Sequence, residues 1–387
     1  MKIATAFNNE GNRLTVTEQD CSVVTYGYDN IYQLTSETRT GTNAYNITYQ
    51  YDSAGNRTQM IKNGTTTSYT YNNNNQLLTE TTGGVTVTYA YDLNGNLLSK
   101  VSGGNTTSYT WDWNNHLLDV SEPGGNTLYE YDGDGTRISK TQSGVKTKYI
   151  NDVALMLVQV LMETDNTGVV QAIYTYGNGL ISMNRAGVNS YYNYDGLGSA
   201  RQLTNSSGAV TDSYTYDSFG NLIASSGTTA NSYGFTGEQQ FGEADNLVFL
   251  RARYYDSRVG RFMQRDPIGY SAGLNLYTYC GSNPVNWVDP LGLRPPGFED
   301  CWTDCMNTML LGLPGIPGAI CGGALGTASK IAAAAKAPNL AAMLAILPAW
   351  MGGAALGCGI GCGLFGPGTP DFPPDPWYPY PPPWVWP

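Results

Sequence analysis

The stretch that decides the fold is YAYDLNGNLLSKVSGGNTTSYTWDWNNHLLDV, residues 89–120, because it states one phrase twice. Tyr89-Ala90-Tyr91-Asp92 returns as Tyr109-Thr110-Trp111-Asp112, so aromatic, spacer, aromatic and acid recur after 20 residues. The second copy has lost Gly95 and Asn96 of the first but keeps the leucine pair, now Leu117 and Leu118. On a strand with a two-residue period, Tyr89 and Tyr91 point to one face. Three residues past the acid comes Gly95, where a tight turn needs positive φ; Asn75 is the next best occupant of the same place in another copy. NLLSK then reads as a return strand and SGGNTT as a second turn. Each unit is therefore a two-stranded hairpin. A lone hairpin is marginal in water, so the units must stack side by side into one continuous sheet.

Working outward, Asp52, Asn72, Asp92, Asp112 and Asp132 stand at intervals of 20. Asn8 and Asp29 precede them at slightly longer spacing, and after a gap the phrase resumes at Asp195 and Asp217. An acid repeated beside tight turns reads as a cap for its own backbone N–H groups rather than a calcium ligand or a catalytic group. His116, the one histidine, falls where another unit has Gln76 and reads as a turn-proximal side chain.

Composition agrees: the 387 residues include 29 Tyr and 47 Gly but only 13% charged residues, the profile of a β-rich chain with many turns. A single histidine removes most metal and triad chemistry. The net charge of −11 repels phosphate backbones and anionic surfaces, so no nucleic-acid partner is expected. No cofactor and no metal is expected either. No apolar run precedes Asn8, so no secretory signal is visible, and export needs a dedicated route or a longer parent chain.

The phrases YDSAGNRT, YDLNGNL and YDSFGNL resemble the tyrosine-aspartate repeats of the Rhs family, and the resemblance runs from about residue 8 to Leu293. It implies a mainly β fold: a spiralling antiparallel sheet of hairpin repeats that forms a hollow shell around a C-terminal polypeptide, commonly a toxin. With so few repeats the shell is expected to be incomplete, and an open sheet edge invites self-association. Residues 1–233 are assigned to the repeats. Residues 234–293, with the landmarks RYYD, GRF, RDPIG, NLYTY and DPLGL, are similar to the Rhs-associated core that closes the sheet.

In relatives with this ending the core is often an aspartyl autoprotease that cuts after the last leucine. Carried over, the scissile bond is Leu293–Arg294. Two carboxylates held close share a proton, so one can activate water while the other protonates the leaving amine. Asp266 of RDPIG and Asp289 of VDPLG are the pair expected, with Arg265 to hold an acid or polarise the carbonyl and Asp256 as a third candidate. Both Asp-Pro pairs also suit type I turns, and the two readings are compatible.

Residues 294–366 change character to Gly, Ala, Leu and Cys. Cys301/Cys305 and Cys358/Cys362 are spaced i, i+4, which puts each pair on one helix face, so two disulfides could staple an antiparallel helical hairpin; four buried thiols are the alternative. The apolar stretches are long enough to cross a bilayer, or to form a buried plug. Residues 367–387 form a proline- and tryptophan-rich extended tail. The resulting expectation is a secreted or cell-surface Rhs-type toxin terminus, with a target membrane and a cognate immunity protein as partners, the latter from the resemblance alone. The rival is a non-enzymatic extracellular structural or adhesive protein that self-assembles or binds surface glycans.

Overall fold

A computed structural model describes residues 4–155 and 157–293. Arg294, Cys301, Cys305, Cys358 and Cys362, the helical hairpin and the proline-rich tail lie outside the described residues. One compact unit takes in residues 4–7 and 13–293; the turn Asn8–Asn12 is grouped with a second unit whose other residues are not described.

The mainly β, antiparallel reading is borne out. Twenty-two strands, from Ala4–Phe7 to Leu222–Ser226, form one sheet in which each strand pairs with the next in sequence. In Tyr45–Tyr51 the residues Tyr45, Ile47 and Tyr49 are buried and Asn46 and Gln50 are exposed, which is the two-residue period made visible. The first aromatics of successive units, Tyr69, Tyr89, Tyr109 and Tyr129, share one core with Leu77, Leu97 and Leu117. The seam predicted from the repeats is thus a single buried ladder.

The second aromatic does something the repeat pattern did not reveal. Tyr71 donates its hydroxyl to the Arg57 carbonyl (2.8 Å), Tyr131 to Leu117 (3.0 Å) and Tyr194 to Leu180 (2.7 Å); Trp111 reaches Leu97 through its indole N–H (2.7 Å). Each bond ties a unit to the return strand of the unit before it, for about 0.5–1.5 kcal/mol apiece. The register slips by one residue at this same place, between Gln50 and Tyr51, Thr70 and Tyr71, Thr110 and Trp111, and Glu130 and Tyr131. Such bulges bend and twist a strand, so their repetition curls the wall.

The acids cap turns, as expected. Asp52 Oδ1 accepts from the amides of Ala54 and Asn56, each at 2.9 Å. Asn72 does the same for Asn74 and Gln76, so the role needs an oxygen and not a charge. The gap in the repeat is a gap only in lettering: strands Val145–Asp152, Gln159–Asp165, Val170–Gly177 and Gly179–Arg185 continue the sheet. There Asn151 replaces the second aromatic, donating to the Arg137 carbonyl at 3.0 Å.

The curl brings the end of the sheet back to its start. Arg201 meets Glu18 at 2.6 Å, Arg13 donates to the Gly196 carbonyl, and Phe219 packs among Leu34, Ile47 and Tyr49. Side chains make this seam; among the described residues the strands Ala4–Phe7 and Leu222–Ser226 each pair with one neighbour only.

Residues 234–293 pack on the buried face of this wall. Phe235, Val248, Tyr255 and Tyr279 join the core of Tyr174, Tyr192 and Tyr214, while Tyr254 and Met263 join that of Tyr109 and Tyr129. Polar anchors pin the segment along the wall: Arg137 to Glu243 (2.9 Å), Tyr277 hydroxyl to the Gly95 carbonyl (2.9 Å), and the Arg13 amide to Asn286 Oδ1 (2.9 Å).

Candidate active site

The strand Arg253–Asp256 is buried along its whole length, so its first residue carries a charge into the core. A buried guanidinium requires anionic and carbonyl partners. Arg253 Nη2 lies 2.7 Å from Asp266 Oδ2 and 3.4 Å from Asp289 Oδ2, all three side chains being no more than 2% exposed. Its Nη1 donates to the Leu276 carbonyl (3.1 Å) and its Nε to that of Gly292. The guanidinium carbon sits 3.5 Å from the centroid of the Phe262 ring, on which it stacks. Burial pulls the Arg253 pKa down to about 10, against the opposing pull of Asp266 and Asp289, so the group stays cationic at neutral pH.

Each acid sits at the head of a turn. Asp266 Oδ1 accepts from the Ile268 amide at 3.1 Å. Asp289 Oδ1 accepts from the Leu293 amide at 2.9 Å, closing the DPLGL loop on itself. Gly292 has φ +66, and a Cβ there would stand 2.5 Å from the Leu250 carbonyl oxygen, so only glycine fits. The loop therefore presents Leu293 to Asp289, and the Leu293 carbonyl carbon is two bonds from the nitrogen that Asp289 holds.

The structure brings together Asp266, Asp289 and Leu293 among the residues singled out from the sequence. It does not bring in Arg265, which is exposed and lies with its aliphatic stem against Gly95; the guanidinium between the acids belongs to Arg253. Asp256 is bound by Arg258 at 2.6 Å: burial pushes its pKa up, and that guanidinium more than offsets it, leaving the carboxyl below its usual range. Cys280 is a buried free thiol whose pKa is driven up by burial and by Asp289. Arg253 and Cys280 went unmarked in the sequence because neither lies near an Asp-Pro pair along the chain; the only signal was an arginine opening the RYYD landmark.

Leu293 also lines a cavity of about 450 Å³, together with Leu291, Tyr176, Tyr194, Tyr233 and Phe249. His116 borders it, stacked on Tyr131 at 4.7 Å and bonded to Asp112 at 2.9 Å. Among the described residues no three His, Cys, Asp or Glu side chains are placed to hold a metal ion, and no helix is long and apolar enough to cross a membrane.

The sheet of hairpin repeats and the segment packed on its buried face are the features of a known family, whose model, the teneurin YD-shell, matches residues 8–285. The chain belongs to the teneurin YD-shell family. The tyrosine-aspartate repeat reading is thereby borne out. The YD-shell match takes in Arg253 and Asp266 and stops short of Asp289 and Leu293.

Over 144 residues this YD-shell is 38% identical to the tRNA3(Ser)-specific nuclease WapA of Bacillus spizizenii, an alignment covering 35% of this chain and 6% of that protein. Over 117 residues it is 36% identical to the double-stranded DNA deaminase toxin A of Burkholderia cenocepacia, covering 29% of this chain and 8% of that one. The chain thus spans a small fraction of the length of these relatives. Among solved structures, the crystal structure of TcdB2-TccC3 aligns with a TM-score of 0.40 and 18% identity, over 75% of this chain and 20% of the other.

Proposed function

We propose that this YD-shell is a carrier that encloses the polypeptide following Leu293 and releases it by cutting its own chain at Leu293–Arg294, with Asp266 and Asp289 as the acid pair. The observation that carries the proposal is the double engagement of Asp289: one oxygen accepts the Leu293 amide proton and the other shares the Arg253 guanidinium with Asp266. Arg253 balances one of the two negative charges. The second is relieved when the pair takes up a proton, which leaves one carboxylate to remove a proton from water and one carboxylic acid to protonate the departing Arg294 amine. Water adds across the amide, so the products are a Leu293 carboxylate and a new amino terminus at Arg294. Arg253, rather than Arg265, takes the part of holding the acids.

That two relatives are named as a nuclease and a deaminase toxin supports a toxin carrier whose payload varies. In this chain the payload is the apolar segment 294–366, read as a membrane-active hairpin stapled through Cys301/Cys305 and Cys358/Cys362; an immunity protein, and export to the cell surface or beyond, complete the reading. The test is mass spectrometry of the purified full chain. A fragment ending at Leu293 is expected from the native protein and not from Asp266→Asn or Asp289→Asn; an intact native chain refutes self-cleavage. Dye release from liposomes by the liberated piece tests membrane action separately.

The single pairing, among the described residues, of the strands Ala4–Phe7 and Leu222–Ser226 favours a second reading, edge-to-edge assembly of copies. Light scattering over a concentration series distinguishes an assembling chain from a monomeric carrier.

A further inference from the structure

The seam where the curled sheet meets its own beginning contains a second pair of buried acids, remote in sequence from the first. Glu37, on the strand Leu34–Thr40, is 1% exposed; Asp217, which caps the turn before Leu222–Ser226, is 5% exposed. The donors that hold them are neutral. Glu37 Oε1 accepts the Tyr45 hydroxyl at 2.6 Å, and both its oxygens accept the Ser218 amide at 3.1 Å. Asp217 Oδ1 accepts the amides of Phe219 (3.1 Å) and Asn221 (3.0 Å), and the Asn221 side chain adds bonds to both oxygens. The Glu37–Ser218 bonds thus join one end of the sheet to the other where no strand pairing does.

We infer that the Glu37–Asp217 pair is a proton-operated latch on the shell: the seam is held shut while the pair carries one proton and loosens when both carboxylates ionise.

Two like charges in a buried seam repel, and among the described residues neither Glu37 nor Asp217 has an ion pair such as Arg253 makes with Asp266 and Asp289. Tyr26, Tyr28, Tyr45, Tyr49, Tyr255, Arg57 and Lys62 face the pair from adjoining elements, and Glu18, Asp195, Arg13 and Arg201 line the same cavity. Glu18 is engaged by Arg39 and Arg201, and Arg57 donates to the Val259 carbonyl at 2.7 Å. Burial, then Asp217, push the Glu37 carboxyl up to about 7, and burial raises Asp217 as well. A carboxyl raised in the folded state stabilises fully below its unfolded pKa, and the contribution is lost as pH rises through the folded value. The latch therefore closes in mild acid and opens above neutrality. A cavity of about 100 Å³ lined by Glu37, Asp217, Ser218, Glu18 and Arg201 lies at the seam and gives water an entry when it parts.

The experiment is amide hydrogen exchange on the full chain from pH 6 to pH 8.5, corrected for intrinsic chemistry. Protection of the Ser218, Phe219 and Asn221 amides should fall by up to about tenfold per pH unit as pH rises toward the transition and level off above it, the signature of one linked proton. Protection of the ladder strands such as Tyr89 should not move. In Glu37→Gln, which keeps an acceptor for Tyr45 and Ser218, the seam should show no pH dependence. Asp217→Asn gives an independent check that folds if Glu37→Gln does not, because Asn72 and Asn205 already cap equivalent turns. PH-independent protection in the native chain, or an unchanged slope in either folded variant, overturns the latch. Neither outcome depends on whether the chain cuts itself.

Discussion

The hydroxyl of Tyr131 donates to the carbonyl of Leu117, fourteen residues back, at 3.0 Å, and Trp111 makes the same reach to Leu97 at 2.7 Å with a different donor. What the position demands is a donor that reaches back to the earlier strand, carried by a rigid ring at Tyr131 and Trp111 and by an amide at Asn151. Trp111→Phe should cost about 1–3 kcal/mol, the penalty for leaving a partly buried carbonyl unsatisfied. Trp111→Tyr should recover about 1 kcal/mol of that, since a hydroxyl serves at Tyr131. Urea titration of the two variants decides it; equal losses would mean that packing alone sets the residue.

Arg253 is buried between two acids, so removing it takes away a cation that both share. Arg253→Met should destabilise by about 3–5 kcal/mol, whereas the triple replacement with Asp266→Asn and Asp289→Asn should restore most of the loss, because the penalty lies in burying the two carboxylates without that cation. Chemical denaturation of the single and triple variants reads the difference. Additive losses would contradict the triad.

Gly64 and Gly220 both adopt left-handed backbone, with φ of +81 and +91, but their surroundings differ. Nothing lies within 4 Å of a Cβ at Gly64, while at Gly220 it would stand 2.5 Å from the Phe235 ring. Gly64→Ala should cost about 1–2 kcal/mol of backbone strain. Gly220→Ala should add a further 1–3 kcal/mol, roughly, for displacing Phe235. Thermal melts of the pair separate strain from crowding.

Burial raises the phenols of Tyr28, Tyr176 and Tyr254 to about 12, and those of Tyr26, Tyr49 and Tyr129 well above the ordinary value. In the unfolded chain they ionise near 10. Their stabilisation is whole below about pH 10 and falls as pH climbs toward the folded values, by about 1.4 kcal/mol per pH unit for each phenol. Phenolate absorbance should therefore rise in a single cooperative step together with loss of the β circular-dichroism signal. A gradual titration with the sheet intact would show the ladder to be wet.

The hairpins, their capping acids and the buried ring of each phrase were legible because strand alternation and turn chemistry are local: Tyr89, Asp92 and Gly95 lie within seven residues. The back-reaching second ring was not, since its target belongs to another unit. Nor was the continuity of the sheet through residues 145–185, where Asn151 does by hydrogen bonding what the lettering assigns to an aromatic. At the acid pair, Asp266, Asp289 and Leu293 could be named from their Asp-Pro turns. Arg253 could not, because its meeting with Asp289 across 36 residues is a product of packing. The Glu37–Ser218 contact spans nearly the whole sheet and depends on how far the wall has curled.

The anchors of residues 234–293 have an evolutionary consequence. Tandem hairpins that finish their neighbours' bonding can multiply by duplication with little local penalty. Here, however, one strap is fastened to Arg13, Gly95 and Arg137 at fixed intervals, so adding or deleting a hairpin between any two would pull a fastening out of reach. The strap works as a gauge that fixes how many hairpins the wall can have, and lineages that lengthen the wall must lengthen the strap with it.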